Sequence, residues 1–206
     1  MKWSNLKFWR SSRGVELKSI DGLPSVKDRF KAFDLTPFDE VKCVLLGQDP
    51  YSTKSYAHGL AFSVQPHIDP LPPSLRNILG EYAQDTGHEL PRSGCLERWA
   101  SNGVLLLNSI LTVEHGKPLS HAGIGWEKLT YEVLSRLSHE RSGIVFMLWG
   151  KKAQEYRGCI DETKHLVLTA AHPSPLAGDK FRGCEHFTLA NKYRRKEGLE
   201  PINWRL

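Results

Sequence analysis

Asp49, Phe62, Asn108, His172 and Leu176 lie far apart in the chain, each in a context where its chemistry could be used. Asp49 follows an apolar run and precedes Pro50 and Tyr51. Asp-Pro after a strand is ordinarily a turn starter; the chemical alternative is a carboxylate held at a strand end with an aromatic beside it. Asn108 follows Val104–Leu107, and its amide offers both a donor and an acceptor. That is the complement of a pyrimidine edge with a C=O beside an N–H. His172, between Ala171 and Pro173, is either a structural loop histidine or an imidazole donor to a developing anion. Phe62 in Gly59-Leu60-Ala61-Phe62-Ser63 is either core or a stacking platform for a base. Leu176 lies in a Pro-rich loop, where an exposed leucine could serve as an apolar wedge of the kind that opens a duplex.

The elements that would hold these residues can be read from hydrophobic patterning. Four short apolar runs stand out: Val41–Leu46, Val104–Leu107, Ile144–Trp149 and His165–Leu168. They are mostly continuous rather than alternating, which predicts strands buried on both faces of a parallel sheet. Between them, Ser74 as N-cap would start a helix carrying Leu75, Ile78, Leu79 and Tyr82 at helical spacing. Trp126, Leu129, Val133 and Leu137 form a second stripe. Glu185–Arg195 reads as a third helix, basic toward its C-terminus as the dipole favours, and Lys151–Tyr156 as a short one. Alternating strands and helices predict a three-layer α/β/α domain around a mainly parallel four-stranded sheet. Residues 1–36 are expected to form an N-terminal helical cap on a 37–206 core. Each strand run ends in polar or Gly-rich chemistry, and an open α/β sheet binds ligands outside the carboxyl ends of its strands.

Bulk properties narrow the class. The chain has 206 residues, enough for one domain, with 40% hydrophobic and 25% charged residues. That excludes a disordered, collagen-like or coiled-coil chain. The net charge of +5 permits a nucleic-acid partner without requiring one. No apolar run approaches a membrane span, and Met1–Arg10 lacks the apolar stretch of a secretory signal. Cys43, Cys95, Cys159 and Cys184 have no C-x-x-C spacing, so no metal site is expected; two of them sit in hydrophobic or Gly-flanked contexts, where a buried free thiol is the simpler reading. The expected compartment is the reducing cytoplasm.

The motifs taken together are far more specific than any one of them. Gly47-Gln48-Asp49-Pro50-Tyr51, Ala57–Ser63, Pro72-Pro73-Ser74-Leu75, Gly103–Asn108, Ser120-His121 with Gly125-Trp126, Leu148-Trp149-Gly150, His172–Leu176, and Gly183-Cys184 with His186-Phe187 occur in that order. In these blocks the chain resembles the family 1 uracil-DNA glycosylases, over roughly residues 23 to 204. The resemblance implies a repair enzyme that flips uracil out of DNA and hydrolyses its N-glycosidic bond without a cofactor. Asp49 would orient water and balance the cationic sugar, and His172 would donate to uracil O2. Gln48 would touch the base at the pocket edge, and Tyr51 would exclude a 5-methyl group. Phe62 would stack on the base, and Asn108 would read its edge. Leu176 would enter the helix, while Ser74, Ser174 and the loop at Gly150 would pinch phosphates. Uracil-containing single- or double-stranded DNA is the implied substrate, a DNA-mimicking inhibitor protein a candidate partner, and a monomer the implied state.

The chain departs from the family pattern in places. Ser52 stands where the family usually has His, and Lys151 where it usually has a small Ser, which would make Lys151 a further phosphate contact. The stretch Ala177–Arg182 is about one residue short. Two other readings compete. Asp49-Pro50-Tyr51 is superficially like the motif of an amino-methyltransferase, but no G-x-G follows a strand to hold a methyl donor. A non-enzymatic DNA-binding scaffold would suit the basic charge, yet would not need Asp49, Asn108 and His172 together.

Overall fold

In the computed structural model, which describes residues 3–7 and 11–206, the four apolar runs form strands β1 (Cys43–Gly47), β2 (Val104–Asn108), β3 (Val145–Trp149) and β4 (Leu166–Ala170). They make one sheet in the order β2-β1-β3-β4, with every pairing parallel. The first three strands are buried on both faces. The fourth is not: Leu166, Val167 and Leu168 are half-buried and Thr169 is exposed. Both β2 and β4 are edge strands; the short helices α2 (Lys31–Leu35) and α4 (Glu97–Ser101) pack on β2, while α7 (His186–Lys196) packs more lightly against β4.

The remaining helices are α1 (Ser12–Ser19), α3 (Pro73–Thr86), α5 (Trp126–Glu140) and α6 (Lys151–Gln154). Their alternation with the strands gives a single α/β domain. Helix α5 buries Trp126, Leu129, Val133 and Leu137 as their spacing requires. Helix α6 is shorter than expected, passing into a 3-10 segment at Glu155–Cys159. Cys43 is buried, while the other three cysteines are only half-buried, and all four are free. Trp3 packs edge-on against Phe33 and Phe38, at 5.1 Å from each, and donates its indole N–H to Thr36 O. Residues 1, 2 and 8–10 of the expected N-terminal cap lie outside the described residues. Among the described residues, no helix is long and apolar enough to cross a membrane.

Ser74 is not the N-cap of α3. Pro72 holds that position and makes no side-chain cap, Pro73 opens the helix, and Ser74 sits inside the first turn. Proline suits that first position because its missing N–H would have no intrahelical partner anyway. The helix buries Leu75, Ile78, Leu79 and Tyr82 as predicted and ends at Gly87 in a left-handed conformation.

A second, polar stripe runs along α3 at the same helical spacing and ties down distant chain. Asn77 Nδ2 donates to Pro173 O at 2.7 Å. Glu81 accepts the backbone N–H groups of Gly183 (2.6 Å) and Glu185 (2.9 Å). Asp85 accepts those of Phe187 and Thr188, capping α7 from outside its own segment. The basic end of α7 does more than complement a dipole: Arg194 is buried and donates to Gly143 O at 2.8 Å and Glu200 O at 2.6 Å. Glu81 is only 2% exposed, so Glu81→Ala would remove the charged acceptor of two backbone N–H groups and leave space in the packing. Denaturant unfolding should show a loss of about 2–4 kcal/mol. A loss under 0.5 kcal/mol would mean that the Gly183–Glu185 turn holds itself.

Candidate active site

The carboxyl ends of β1 and β2 are fixed first. Gly47 pairs with Asn108 in the parallel register, and a Cβ on Gly47 would run into Asn108 Oδ1. Glycine here is a space requirement that lets the Asn108 amide lie across the end of β1. Pairing continues past the strands: Ser109 N–H donates to Gly47 O and Ile110 N–H to Gln48 O, both at 2.9 Å, and Ser109 Oγ donates to Gln48 O at 2.8 Å. Asp49 therefore leaves β1 from a doubly anchored backbone.

A 260 Å³ cavity opens at these strand ends, lined by Gln48, Asp49, Tyr51, Phe62, Ser74, Asn108 and His172 together with Pro50, Ser52, Thr53 and Pro118. Seven residues singled out by motif thus share one concavity. A smaller cavity of 190 Å³ shares Gln48 and His172 and is walled by Gly150 and Lys151. Ser174 and Leu176 lie outside both. Ser174 Oγ accepts the Leu176 N–H at 3.3 Å, and the Leu176 side chain is 98% exposed.

The polar groups of the large cavity are individually prepared. Asp49 Oδ2 accepts the Leu119 N–H at 2.8 Å. Burial pushes the Asp49 carboxyl above the ordinary carboxylate range, and the backbone N–H groups of Leu119 and of Asp49 itself pull it partly back. His172 Nδ1 accepts the Ser174 N–H at 3.0 Å. Burial lowers the His172 pKa and so favours the neutral imidazole, in which, with Nδ1 accepting, the proton belongs on Nε2. A neutral N–H donor is the result. Asn108 is 7% exposed, and among the described residues no hydrogen bond from protein reaches its amide. The amide is not sealed from solvent; it opens on the cavity, where a ligand can complete it.

The walls are aromatic. Phe62 lies 5.9 Å from Trp149 and 6.0 Å from the His172 ring. Its backbone is left-handed, φ 62°, and its carbonyl accepts the Tyr51 hydroxyl at 3.1 Å. Tyr51 is therefore pinned at its far end, with Tyr56 edge-on at 6.1 Å. Beneath this segment His58 is fully buried, its Nε2 2.7 Å from Ser63 Oγ, and desolvation drops its pKa to about 4. Gly150, at φ 86°, lets β3 turn away close to His172; a Cβ there would come within 2.9 Å of His172 Cβ. Sequence reasoning did not single out Pro118, Leu119 or Asn77. Glycine in the Gly47 motif could have signalled the close approach, but nothing in Pro118-Leu119-Ser120 announces a donor to Asp49.

A model described as the uracil DNA glycosylase superfamily matches residues 33–195. The chain belongs to that superfamily. It is 52% identical to the uracil-DNA glycosylase of Glaesserella parasuis over 184 residues, 89% of this chain and 83% of that protein. It is 50% identical to that of Haemophilus influenzae over 185 residues, 89% of this chain and 84% of that one. The crystal structure of mimivirus uracil-DNA glycosylase superposes with a TM-score of 0.87 at 26% identity, covering 97% of this chain and 85% of its own. A tyrosine-to-leucine variant of the mimivirus enzyme, solved in complex with UGI, gives 0.87 at 27% identity over 97% and 86% of the two chains. The methyltransferase and scaffold readings fall with this assignment. The glycosylase cavity carries a stability cost that can be measured. Because the Asp49 pKa is raised on folding, its protonated form contributes stability at low pH that is lost as pH rises through the folded value. Asp49→Asn should therefore unfold at a higher temperature than the parent at pH 7. The gap should close as pH drops below about 4. Equal melting temperatures at pH 7 would mean that Asp49 is not strained by its burial.

Proposed function

We propose that Asp49 and His172 divide the two charges that develop when this uracil-DNA glycosylase hydrolyses the bond between uracil and deoxyribose. The activity is uracil excision from DNA in repair, with an abasic site left behind. Uracil stacked in a duplex is out of reach, so its nucleotide must be flipped out, at a few kcal/mol. Cleavage then leaves an oxocarbenium-like sugar and a uracil anion, as in glycoside cleavage generally. The carboxylate of Asp49 faces the sugar, orients the water that adds to its anomeric carbon, and favours departure of that water's proton. The Nε2–H of His172 donates to uracil O2 as the base leaves. A fixed donor of this kind is worth ~10²–10³ in rate.

What carries this reading is that each catalytic group has one atom occupied by backbone and another left for substrate. Leu119 N–H takes Asp49 Oδ2, and Ser174 N–H takes His172 Nδ1. Asn108 reads the pyrimidine edge with its unpartnered amide, Phe62 stacks on the ring, Gln48 touches its rim, and Tyr51 fills the space of a 5-methyl group. Leu176 enters the helix as the wedge, which its exposure suits. Ser74, Ser174, Gly150 and Lys151 meet phosphates. The described residues before position 37 serve as a helical cap on a single domain that acts as a monomer on single- or double-stranded DNA. Binding of a DNA-mimicking inhibitor is supported by the mimivirus complex.

The direct test is a uracil-containing oligonucleotide incubated in EDTA and then treated with alkali. Strand breaks at uracil are expected. Asp49→Asn should bind DNA but excise roughly 10²–10⁴ times more slowly in a single turnover, and a near-parent rate would return Asp49 to a turn residue. Tyr51→Ala should excise thymine slowly; a folded, uracil-active variant that ignores thymine would assign exclusion to another group.

Lys151 is exposed at the smaller cavity. Lys151→Ser should weaken duplex binding at low salt and reduce the log K against log salt slope by about 0.9, the value for one phosphate contact. Base selectivity should not change. A slope equal to the parent's would show that Lys151 faces only solvent.

A further inference from the structure

Among the described residues, four other than glycine have left-handed backbone: Ser55, Phe62, Leu119 and Glu185. For a bulky side chain this conformation is strained and persists only where the surroundings enforce it. The strain at Phe62 has an evident use, since its ring packs on Trp149 and His172 and its carbonyl holds Tyr51. Leu119 is different. Its φ is 61°, its side chain is 42% exposed, and it joins no part of the buried core. Glycine or asparagine would take this conformation at lower cost.

The turn that carries Leu119 is firmly held. Glu114 N–H donates to Ser120 Oγ at 2.8 Å, Gly116 N–H to Ser52 O at 2.9 Å, and Leu119 N–H to Asp49 Oδ2 at 2.8 Å. The last two bonds clamp the turn onto the Asp49–Ser52 segment, and Pro118 lines the cavity directly. Leu119 therefore stands at the cavity mouth on the Asp49 side, with its side chain open. Leu176, which is exposed and lines neither cavity, belongs to the loop that follows His172. The nearest cation in the turn, Lys117, is paired with Glu114 at 2.6 Å. At this point the turn offers a substrate strand apolar surface rather than free positive charge.

We propose that Leu119 is a DNA-contacting residue: its side chain packs on the apolar face, sugar and base, of the nucleotide next to the flipped uridine. It is a second apolar contact beside Leu176, and it holds the strand over Asp49. The inference rests on the glycosylase reading of the cavity. The backbone strain is retained because leucine at this position meets substrate rather than core.

Leu119→Asn tests this, because asparagine tolerates the left-handed conformation, keeps the N–H bonded to Asp49 and removes the apolar surface. Single-turnover excision, affinity for a uracil-containing duplex, thermal unfolding and the pH–rate profile are measured for parent, Leu119→Asn and Leu119→Met. The asparagine variant should melt no lower than the parent and keep its pH–rate profile. Its duplex affinity should fall roughly threefold to tenfold, as loss of part of a leucine contact implies. The salt slope should stay as in the parent, since an apolar contact releases no counterions. The methionine variant should restore affinity. Parent-like affinity in Leu119→Asn would overturn the proposal, as would a lowered melting temperature, which would make the side chain structural. A parent protein that binds duplex but never excises uracil would sink the reading of the cavity itself, and this contact with it.

Discussion

The close approach of Gly47 to Asn108 is the constraint on which the site depends. Two parallel strands end side by side, and the absent side chain on one leaves room for the amide on the other. Because the strands run the same way, whatever follows each of them emerges at the same edge of the sheet. Gln48 and Asp49 follow β1, Ser109 follows β2, Gly150 follows β3, and His172 comes just after β4. Their convergence needs only the strand order and the hydrogen bonds that extend the β1–β2 pairing to Ile110.

Burial then sets the charge states. The same desolvation raises the carboxyl of Asp49 and lowers the imidazole of His172, so the environment pushes both groups toward neutrality. Neutrality suits the donor role proposed for His172 but opposes the anionic role proposed for Asp49. The Leu119 N–H partly corrects this at the carboxylate. An active site that stabilises a cationic sugar gains from a carboxylate kept short of solvent, because charge–charge attraction is stronger there. The cost is carried by the fold.

Helix α3 links the site to the rest of the molecule. Its apolar stripe faces the core, while Ser74, Asn77, Glu81 and Asp85, three or four residues apart, run from the cavity wall to the start of α7. Asn77 holds the carbonyl of Pro173, next to His172, and Glu81 holds the turn after the exposed Leu176 loop. A rigid helix thus fixes both ends of the segment that carries His172 and the exposed Leu176. Leu176 can project freely because the chain on either side of it is tied.

Much of this architecture was legible in the residues alone. Continuous apolar runs marked all four strands, since a strand covered on both faces has no polar side to alternate. Only at β4 did that rule mislead, because coverage depends on which helices pack there and not on the run itself. The candidate site residues were legible because Gly-Gln-Asp-Pro-Tyr and His-Pro-Ser-Pro-Leu are dense with residue types that chemistry and backbone geometry both restrict. Ser74 was misread as a cap, since a serine before an apolar stripe looks the same whether Pro72 or Ser74 itself precedes the first turn. The sequence could not disclose which groups hold the reacting ones. Leu119 donates to Asp49 through its backbone N–H, which every residue but proline possesses, so its type carries no signal. Glu81 and Asp85 meet their partners about a hundred residues away, and such pairings exist only once the sheet has brought the segments together. Residue type and local spacing determined the elements and the chemistry available to them. Tertiary structure decided which buried groups lose their water, which backbone donors replace it, and therefore which atoms remain free for substrate.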